Sequence, residues 1–213
     1  MKRRAPAKKR GLMIGIDEAG RGPLAGPVAV GAFAARAPAA LRRFRGVKDS
    51  KQLSERQREA WFSAIEDSSR KGESAFEVSF SGAAVIDARG IVRAVRAAMD
   101  RCLRRLERRG FAAPSACAVL LDGSLYAPAR YPDQTTIIDG DATEPIIALA
   151  SICAKVLRDR KMKRLAEKRP GYGFEVHKGY GTKAHYEALR KRGPTPEHRR
   201  SFLKGLGAGA KKM

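Results

Sequence analysis

Short apolar runs along the chain alternate with longer segments in which apolar residues recur at helical spacing. An apolar run of about four to eight residues, bounded by turn residues, is typical of a buried strand. The first two runs are separated by a turn rich in glycine and proline, which predicts a hairpin of two buried strands. The pattern predicts strands over residues 12–16, 28–34, 77–80, 117–121 and 135–138.

The segments between the runs have the periodicity of amphipathic helices. Residues 54–57, Ser-Glu-Arg-Gln, are close to a capping box and predict the start of the first helix. Because strands and helices alternate through short links, we expect an α/β domain, whose site lies at the strands' carboxyl ends. The pattern predicts helices over residues 54–71, 86–109, 144–168 and 183–192.

The charge of the chain narrows the class of its partner. The chain has 213 residues, 43% of them hydrophobic, which is enough for one large domain or for a domain with a small appendage. Its 44 Lys and Arg against 22 Asp and Glu leave a formal net charge of +22. A surface this basic favours a polyanionic partner, with nucleic acid as the first candidate and an acidic membrane as the second.

The ends of the chain differ in composition from the rest. Residues 1–10 are nearly all Lys, Arg, Ala and Pro, and residues 205–213 are mostly Gly, Ala and Lys. We expect both to be flexible basic tails around a folded region that spans residues 11–204.

The cysteines and the lack of long apolar segments indicate a cytoplasmic protein. Cys102, Cys117 and Cys153 are widely separated in apolar stretches, which is typical of reduced core residues. No run of about 18 apolar residues is present, and the basic start is followed by acids instead of a signal-peptide core. We therefore expect no membrane contact.

Acidic residues are scarce in this chain, and several follow predicted strands. Asp17 and Glu18 follow the first run, Asp122 the fourth, and Asp141 comes soon after the fifth. A carboxylate cluster repels itself unless it is neutralised, and oxygen ligands favour Mg²⁺ or Mn²⁺. Two such ions about 4 Å apart can activate water and stabilise the leaving oxygen of a phosphodiester. Each acid taken singly also fits a turn or a helix cap.

The segment around the first two acids, GIDEAGRGPLAGP at residues 15–27, resembles the opening motif of the bacterial ribonuclease HII family. The resemblance covers roughly residues 11–203, in the family's order. One departure is Gly90, where such sequences commonly carry Asn, and it concerns a supporting hydrogen bond instead of the chemistry. The later matching blocks are DSKQLS at 49–54, LDG at 121–123, GD at 140–141, ASICAKVLRD at 150–159, HKGYGT at 177–182 and HRRSF at 198–202.

The resemblance implies an α/β, ribonuclease H-like fold with a mixed five-stranded sheet flanked by helices. It also implies a C-terminal helical part from about residue 170. The family's catalytic, metal-binding carboxylates fall on Asp17, Glu18, Asp122 and Asp141. Mg²⁺ or Mn²⁺ is the implied cofactor, with two ions during catalysis.

The resemblance also assigns substrate-binding residues. Gly20, Arg21 and Gly22 correspond to an element whose glycines let the backbone approach a ribose 2′-hydroxyl, while the arginine holds a phosphate. Tyr180 is similar to the family's tyrosine that packs on the next deoxyribose, and Lys51 is placed to contact a phosphate. Without the family, the same residues also fit a tight turn, a loop anchor and a solvated charge.

The implied function is a monomeric endoribonuclease. It would cut the RNA strand of RNA/DNA hybrids and cut 5′ to single ribonucleotides in duplex DNA, leaving a 3′-hydroxyl and a 5′-phosphate. One alternative is a basic nucleic-acid-binding protein whose acids are caps. Another is the specificity of ribonuclease HIII, which needs a longer RNA stretch.

Overall fold

A five-stranded sheet forms the centre of the computed structural model, which describes residues 11–36, 40–47 and 50–203. The predicted tails lie outside the described residues. The strands are β1 Leu12–Ala19, β2 Val28–Arg36, β3 Ser74–Ser81, β4 Cys117–Asp122 and β5 Gln134–Ile137. The sheet order is β3-β2-β1-β4-β5, with β1 antiparallel to β2 and parallel to β4. The predicted hairpin and mixed sheet are both confirmed.

Helices cover both faces of this sheet. The first helix begins with the predicted capping box, in which the Ser54 hydroxyl accepts from the Gln57 amide at 3.3 Å and the Gln57 side chain accepts from the Ser54 amide at 2.8 Å. The described helices are α1 Glu55–Arg70, α2 Ala83–Arg89, α3 Ile91–Arg108, α4 Gly140–Thr143, α5 Pro145–Lys168, α6 Phe174–His177 and α7 Lys183–Arg192.

Most element boundaries shift by up to three residues from the sequence prediction, and two of the differences change the arrangement of the elements or of the site. The helix predicted over 86–109 is interrupted at Gly90, whose φ of 77° separates α2 from α3. The apolar periodicity does not show this break because Ile86 and Val95 pack into the same core cluster. The first strand extends beyond residue 16, so Asp17 and Glu18 lie within β1 instead of after it.

The alternation of side chains along the strands divides the core into two layers. Ile14 and Ile16 pack with Met99 and other residues of α3 on one face of the sheet. On the other face, Phe33 and Leu120 pack against side chains of α1 and α5. Because successive side chains of a strand point to opposite faces of the sheet, each central strand packs against the helices on both faces.

Helix α5 lies directly on the middle of the sheet because two strand positions are glycine. A Cβ built on Gly15 would lie 2.1 Å from the carbonyl oxygen of Ile146, and one built on Gly31 would lie 2.3 Å from that of Ala150. Any side chain at either position would separate the helix from the strands. The first glycine is two residues before Asp17, so this contact also fixes the depth at which that acid lies.

The C-terminal segment attaches to the turn between β1 and β2. Leu24 donates its amide hydrogen to Gly179 at 2.9 Å and accepts from the Arg199 amide at 2.8 Å, while Gly26 donates to Glu197 at 2.9 Å. Residues near both ends of the described chain therefore form one structural unit. Among the described residues, no helix combines the length and apolar character needed to cross a bilayer.

We expect Gly31→Ala to destabilise the protein by about 1–3 kcal/mol, the usual cost of overpacking, because the added methyl collides with the backbone of α5. Equilibrium unfolding in urea measures this change. Gly11→Ala is the matched control, since a Cβ there meets nothing within 4 Å. An equal loss in both variants, or no loss in either, would contradict the proposed helix–sheet contact.

Candidate active site

Three aspartates meet at one edge of the sheet. Asp17 lies on β1 and Asp122 ends β4, and these strands are parallel neighbours with Ile16 opposite Leu121. Asp141 comes from α4, immediately after β5. Each aspartate offers one carboxylate oxygen, and the three oxygens lie within 4.8 Å of one another.

Burial makes this cluster electrostatically unfavourable without a cation. Asp17 and Asp141 are each 4% exposed. Burial, together with the charges of Glu18 and Asp122, raises the pKa of Asp17 to about 8, against the opposing effect of a hydrogen bond from the Ser151 hydroxyl. Burial and the neighbouring Asp141 also raise the pKa of Asp122.

The donor set fits a hard divalent cation. The cluster presents carboxylate oxygens and no sulfur or imidazole, which is the chemistry preferred by Mg²⁺ and Mn²⁺. A positive group already lies at its rim, because the Lys51 ammonium is 2.8 Å from a carboxylate oxygen of Asp141. The site therefore attracts cations strongly.

Glu18 lies beside this cluster instead of within it. Its carboxylate accepts a hydrogen bond from the Arg21 guanidinium at 3.1 Å. Burial raises the pKa of Glu18, the Arg21 contact lowers it, and the charge of Asp122 raises it again, so the two acids are close. Neighbouring residues of a strand point to opposite faces, which explains why Asp17 joins the cluster and Glu18 does not.

The turn that follows β1 carries Gly20, Arg21 and Gly22. Gly20 has a φ of 83°, and a Cβ there would lie 1.8 Å from the Nε of Arg158, so only glycine fits. Gly22 faces open space, and Arg21 has an exposed side chain. The predicted substrate element therefore forms a tight surface turn beside the carboxylates, above a buried guanidinium.

Tyr180 is 45% exposed and lies with its ring 5.8 Å from the Arg158 guanidinium.

A chain of hydrogen bonds through two histidines fixes the backbone carbonyl of Tyr180. The Thr195 amide must donate to Nδ1 of His198, at 2.9 Å, so the proton of neutral His198 is on Nε2. That Nε2 donates to Nε2 of His185 at 3.0 Å, and Nδ1 of His185 donates to the Tyr180 carbonyl at 2.9 Å.

Sequence reasoning missed three supporting residues. Ser151 hydrogen-bonds Asp17, and Arg158 and Arg199 are fully buried beneath the turn. The two arginines lie inside the matched blocks at 150–159 and 198–202, which was the available signal. In a chain with 44 Lys and Arg, a buried arginine has no distinguishing local pattern.

The mixed five-stranded sheet with flanking helices is a ribonuclease H-like fold, and the acidic cluster at its edge is compatible with a divalent cation. The structure resembles that of an RNase HII from Archaeoglobus fulgidus solved as a complex with PCNA. The TM-score is 0.67 and the sequence identity 27%, with 88% of this chain and 93% of the other chain covered.

The sequence comparison is more specific. The model of the ribonuclease HII family matches residues 14–205. Ribonuclease HII of Geobacillus kaustophilus is 45% identical, covering 89% of this chain and 67% of the relative. Ribonuclease HII of Halorhodospira halophila is 44% identical, covering 92% and 94%. The chain belongs to the ribonuclease HII family, and its enzyme class is therefore that of the ribonuclease H endonucleases, which are hydrolases.

The histidine chain predicts acid sensitivity. Burial, together with the neighbouring His185 and His177, lowers the pKa of His198 from its ordinary 6.5 to about 4, while Glu197 opposes the shift. At His198 the folded state therefore binds fewer protons than the unfolded state between these pH values, so the contribution of this group to the free energy of unfolding falls as the pH is lowered through this window. The loss is about 3 kcal/mol at most.

Urea unfolding of the protein and of His198→Gln at several pH values measures this contribution, and the difference in free energy of unfolding between them should change by up to about 3 kcal/mol between pH 6.5 and 4, against the unmodified protein at low pH. A variant with an unchanged slope would show that His198 does not carry the effect.

Proposed function

We propose that this chain hydrolyses the phosphodiester on the 5′ side of a ribonucleotide, in RNA/DNA hybrids and in duplex DNA that contains a single ribonucleotide. The products are a 3′-hydroxyl and a 5′-phosphate. The observation that carries the proposal is the position of the Gly20-Arg21-Gly22 turn directly after the strand that supplies Asp17 to the carboxylate cluster.

Asp17, Asp122 and Asp141 are the proposed metal ligands, and Glu18 is the fourth carboxylate at the edge of the cluster. Either Mg²⁺ or Mn²⁺ suits these oxygens. Bound divalent ions supply Lewis acidity for activating water and for stabilising the leaving 3′ oxygen. Among the described residues no Lys or Arg forms an ion pair with the buried Asp17, so a bound cation would supply the compensating charge there.

The substrate-binding residues surround this cluster. The turn at Gly20 and Gly22 brings the backbone close enough to read a 2′-hydroxyl, the group that distinguishes RNA from DNA. Arg21 and Lys51 have exposed side chains that lie against Glu18 and Asp141, so a phosphate that approaches the carboxylate cluster meets both positive charges. Tyr180 offers an exposed ring to the sugar of the following nucleotide.

The proposal also covers the domain organisation, the oligomeric state and the cellular location of the protein. We infer one catalytic domain over residues 11–204, including the helical part from about residue 170, that acts as a monomer in the cytoplasm. The support is the hydrogen bonding of Leu24 and Gly26 to the C-terminal segment. The thiols of all three cysteines are buried and unpaired, as in reduced proteins.

Cleavage of an end-labelled DNA duplex with one ribonucleotide tests the proposal, with Mg²⁺, with Mn²⁺ and with EDTA, beside an all-DNA duplex. We expect one metal-dependent cut 5′ to the ribonucleotide. Asp141→Asn should reduce the cleavage rate at least about 100-fold, which is more than the usual effect of substituting a residue that only supports a metal ligand. The variant should still bind the duplex in EDTA. Asp139→Asn, two residues away and exposed, should cut normally.

Other outcomes contradict the proposal in distinct ways. Cleavage that requires several consecutive ribonucleotides would indicate the specificity of ribonuclease HIII. Equal activity of Asp141→Asn and Asp139→Asn would remove Asp141 from the metal site. Cutting in EDTA would overturn the metal-dependent mechanism.

A further inference from the structure

Arg199 is a fully buried arginine whose guanidinium donates hydrogen bonds only to backbone carbonyls in the described structure. Its Nη2 donates to the Gly20 oxygen at 2.7 Å, its Nη1 to the Arg21 oxygen at 2.8 Å, and its Nε to the Gly26 oxygen at 3.0 Å. All three nitrogens of the fork therefore bind the turn that follows β1.

The charge of this arginine is costly to bury. Burial, together with the charge of Arg158, lowers the pKa of Arg199 to about 10, so the group stays protonated at neutral pH. Among the residues that the structure describes, no carboxylate forms an ion pair with it. The three carbonyl dipoles compensate much of the charge, with the Phe202 ring 5.2 Å from the guanidinium and the more distant charge of Asp87, so the turn and the arginine depend on each other.

The direction of these carbonyls determines where the turn's amides point. In a trans peptide the carbonyl oxygen and the following N–H lie on opposite sides of the C–N bond, and the structure contains no cis peptide among its described residues. Because the Gly20 and Arg21 oxygens point inward to Arg199, the N–H groups of Arg21 and Gly22 point outward. Within the described part of the chain, neither amide donates to a protein acceptor.

From this geometry we infer that Arg199 is a positioning residue that aims the amides of Arg21 and Gly22 at the 2′-oxygen of the ribonucleotide. The inference rests on the proposed function. The guanidinium acts from behind the turn and does not touch the substrate. Its positive charge at the carbonyl ends also polarises both peptide groups, which makes the outward N–H groups stronger donors.

A second buried arginine holds the same turn from another side. Arg158 donates to the Pro27 oxygen at 2.9 Å and to the Lys178 oxygen at 3.0 Å, and its Nε lies against Gly20. The turn is thus constrained on two sides. A flexible turn would rearrange when a deoxyribose replaces the ribose. In a fixed turn, the amides of Arg21 and Gly22 have no acceptor when the 2′-oxygen is absent.

The test compares binding to two duplexes that differ by one 2′-hydroxyl, in EDTA so that no cleavage occurs. Arg199→Lys keeps the charge but cannot reach three carbonyls as a planar fork. We expect its preference for the ribonucleotide duplex over all-DNA to fall about tenfold, the effect of weakening two hydrogen bonds. Affinity for all-DNA should stay within about twofold, because the phosphate contacts that dominate it remain.

Arg101→Lys is the matched control. Arg101 also makes three hydrogen bonds, to Ser79, Phe80 and Ser81 at the end of β3, away from the turn. It should lose a similar amount of stability in thermal melts and keep the full preference for the ribonucleotide. An equal loss of preference in both variants, or an intact preference in Arg199→Lys, would overturn the inference.

A measurement on the unmodified protein covers the case in which Arg199→Lys does not fold. In ¹⁵N spectra recorded in EDTA, the amide signals of Arg21 and Gly22 should shift further with the ribonucleotide duplex than with all-DNA. Identical shifts would refute the positioning role. If the unmodified protein cuts neither duplex with metal, the proposed function fails; if it cuts normally while the variant still discriminates, only the role of Arg199 fails.

Discussion

The contact of α5 with β1 and β2 is the constraint on which the rest of the structure depends. Hydrogen at Gly15 and Gly31, in place of a side chain, lets the helix backbone rest on the strands. The helix then brings Ser151 to Asp17 and, two turns later, Arg158 to the turn at Gly20. The same close approach therefore supports the core, the acidic cluster and the turn at Gly20.

Most of the fold was predictable because its layers follow simple periodicities. The strands at the centre of the sheet are apolar on both faces, and α3 and α5 have apolar positions at helical spacing. The interruption at Gly90 was not predictable from periodicity, since the residues on either side enter one core cluster. The extension of β1 through its acids was missed because charged residues normally end a buried strand.

The acidic residues of the site could be predicted from the sequence, whereas most residues that hold them in place could not. Asp17, Asp122 and Asp141 follow from the order of strands and from the family motifs, and the structure brings them together. The ion pair between Lys51 and Asp141 joins residues 90 positions apart, and no local pattern encodes it. The burial of Arg158 and Arg199 likewise depends on tertiary packing. In a sequence with many surface arginines, these two cannot be recognised as buried.

The hydrogen bond between Arg199 and Gly20 spans 179 residues of sequence. A nascent chain folds progressively as it leaves the ribosome, so the strands and the acids of the site are synthesised long before this support. During that interval the turn at Gly20 lacks the group that orders its carbonyls. The turn therefore reaches its final geometry only after Arg199 has been synthesised, when the five strands of the sheet are already present.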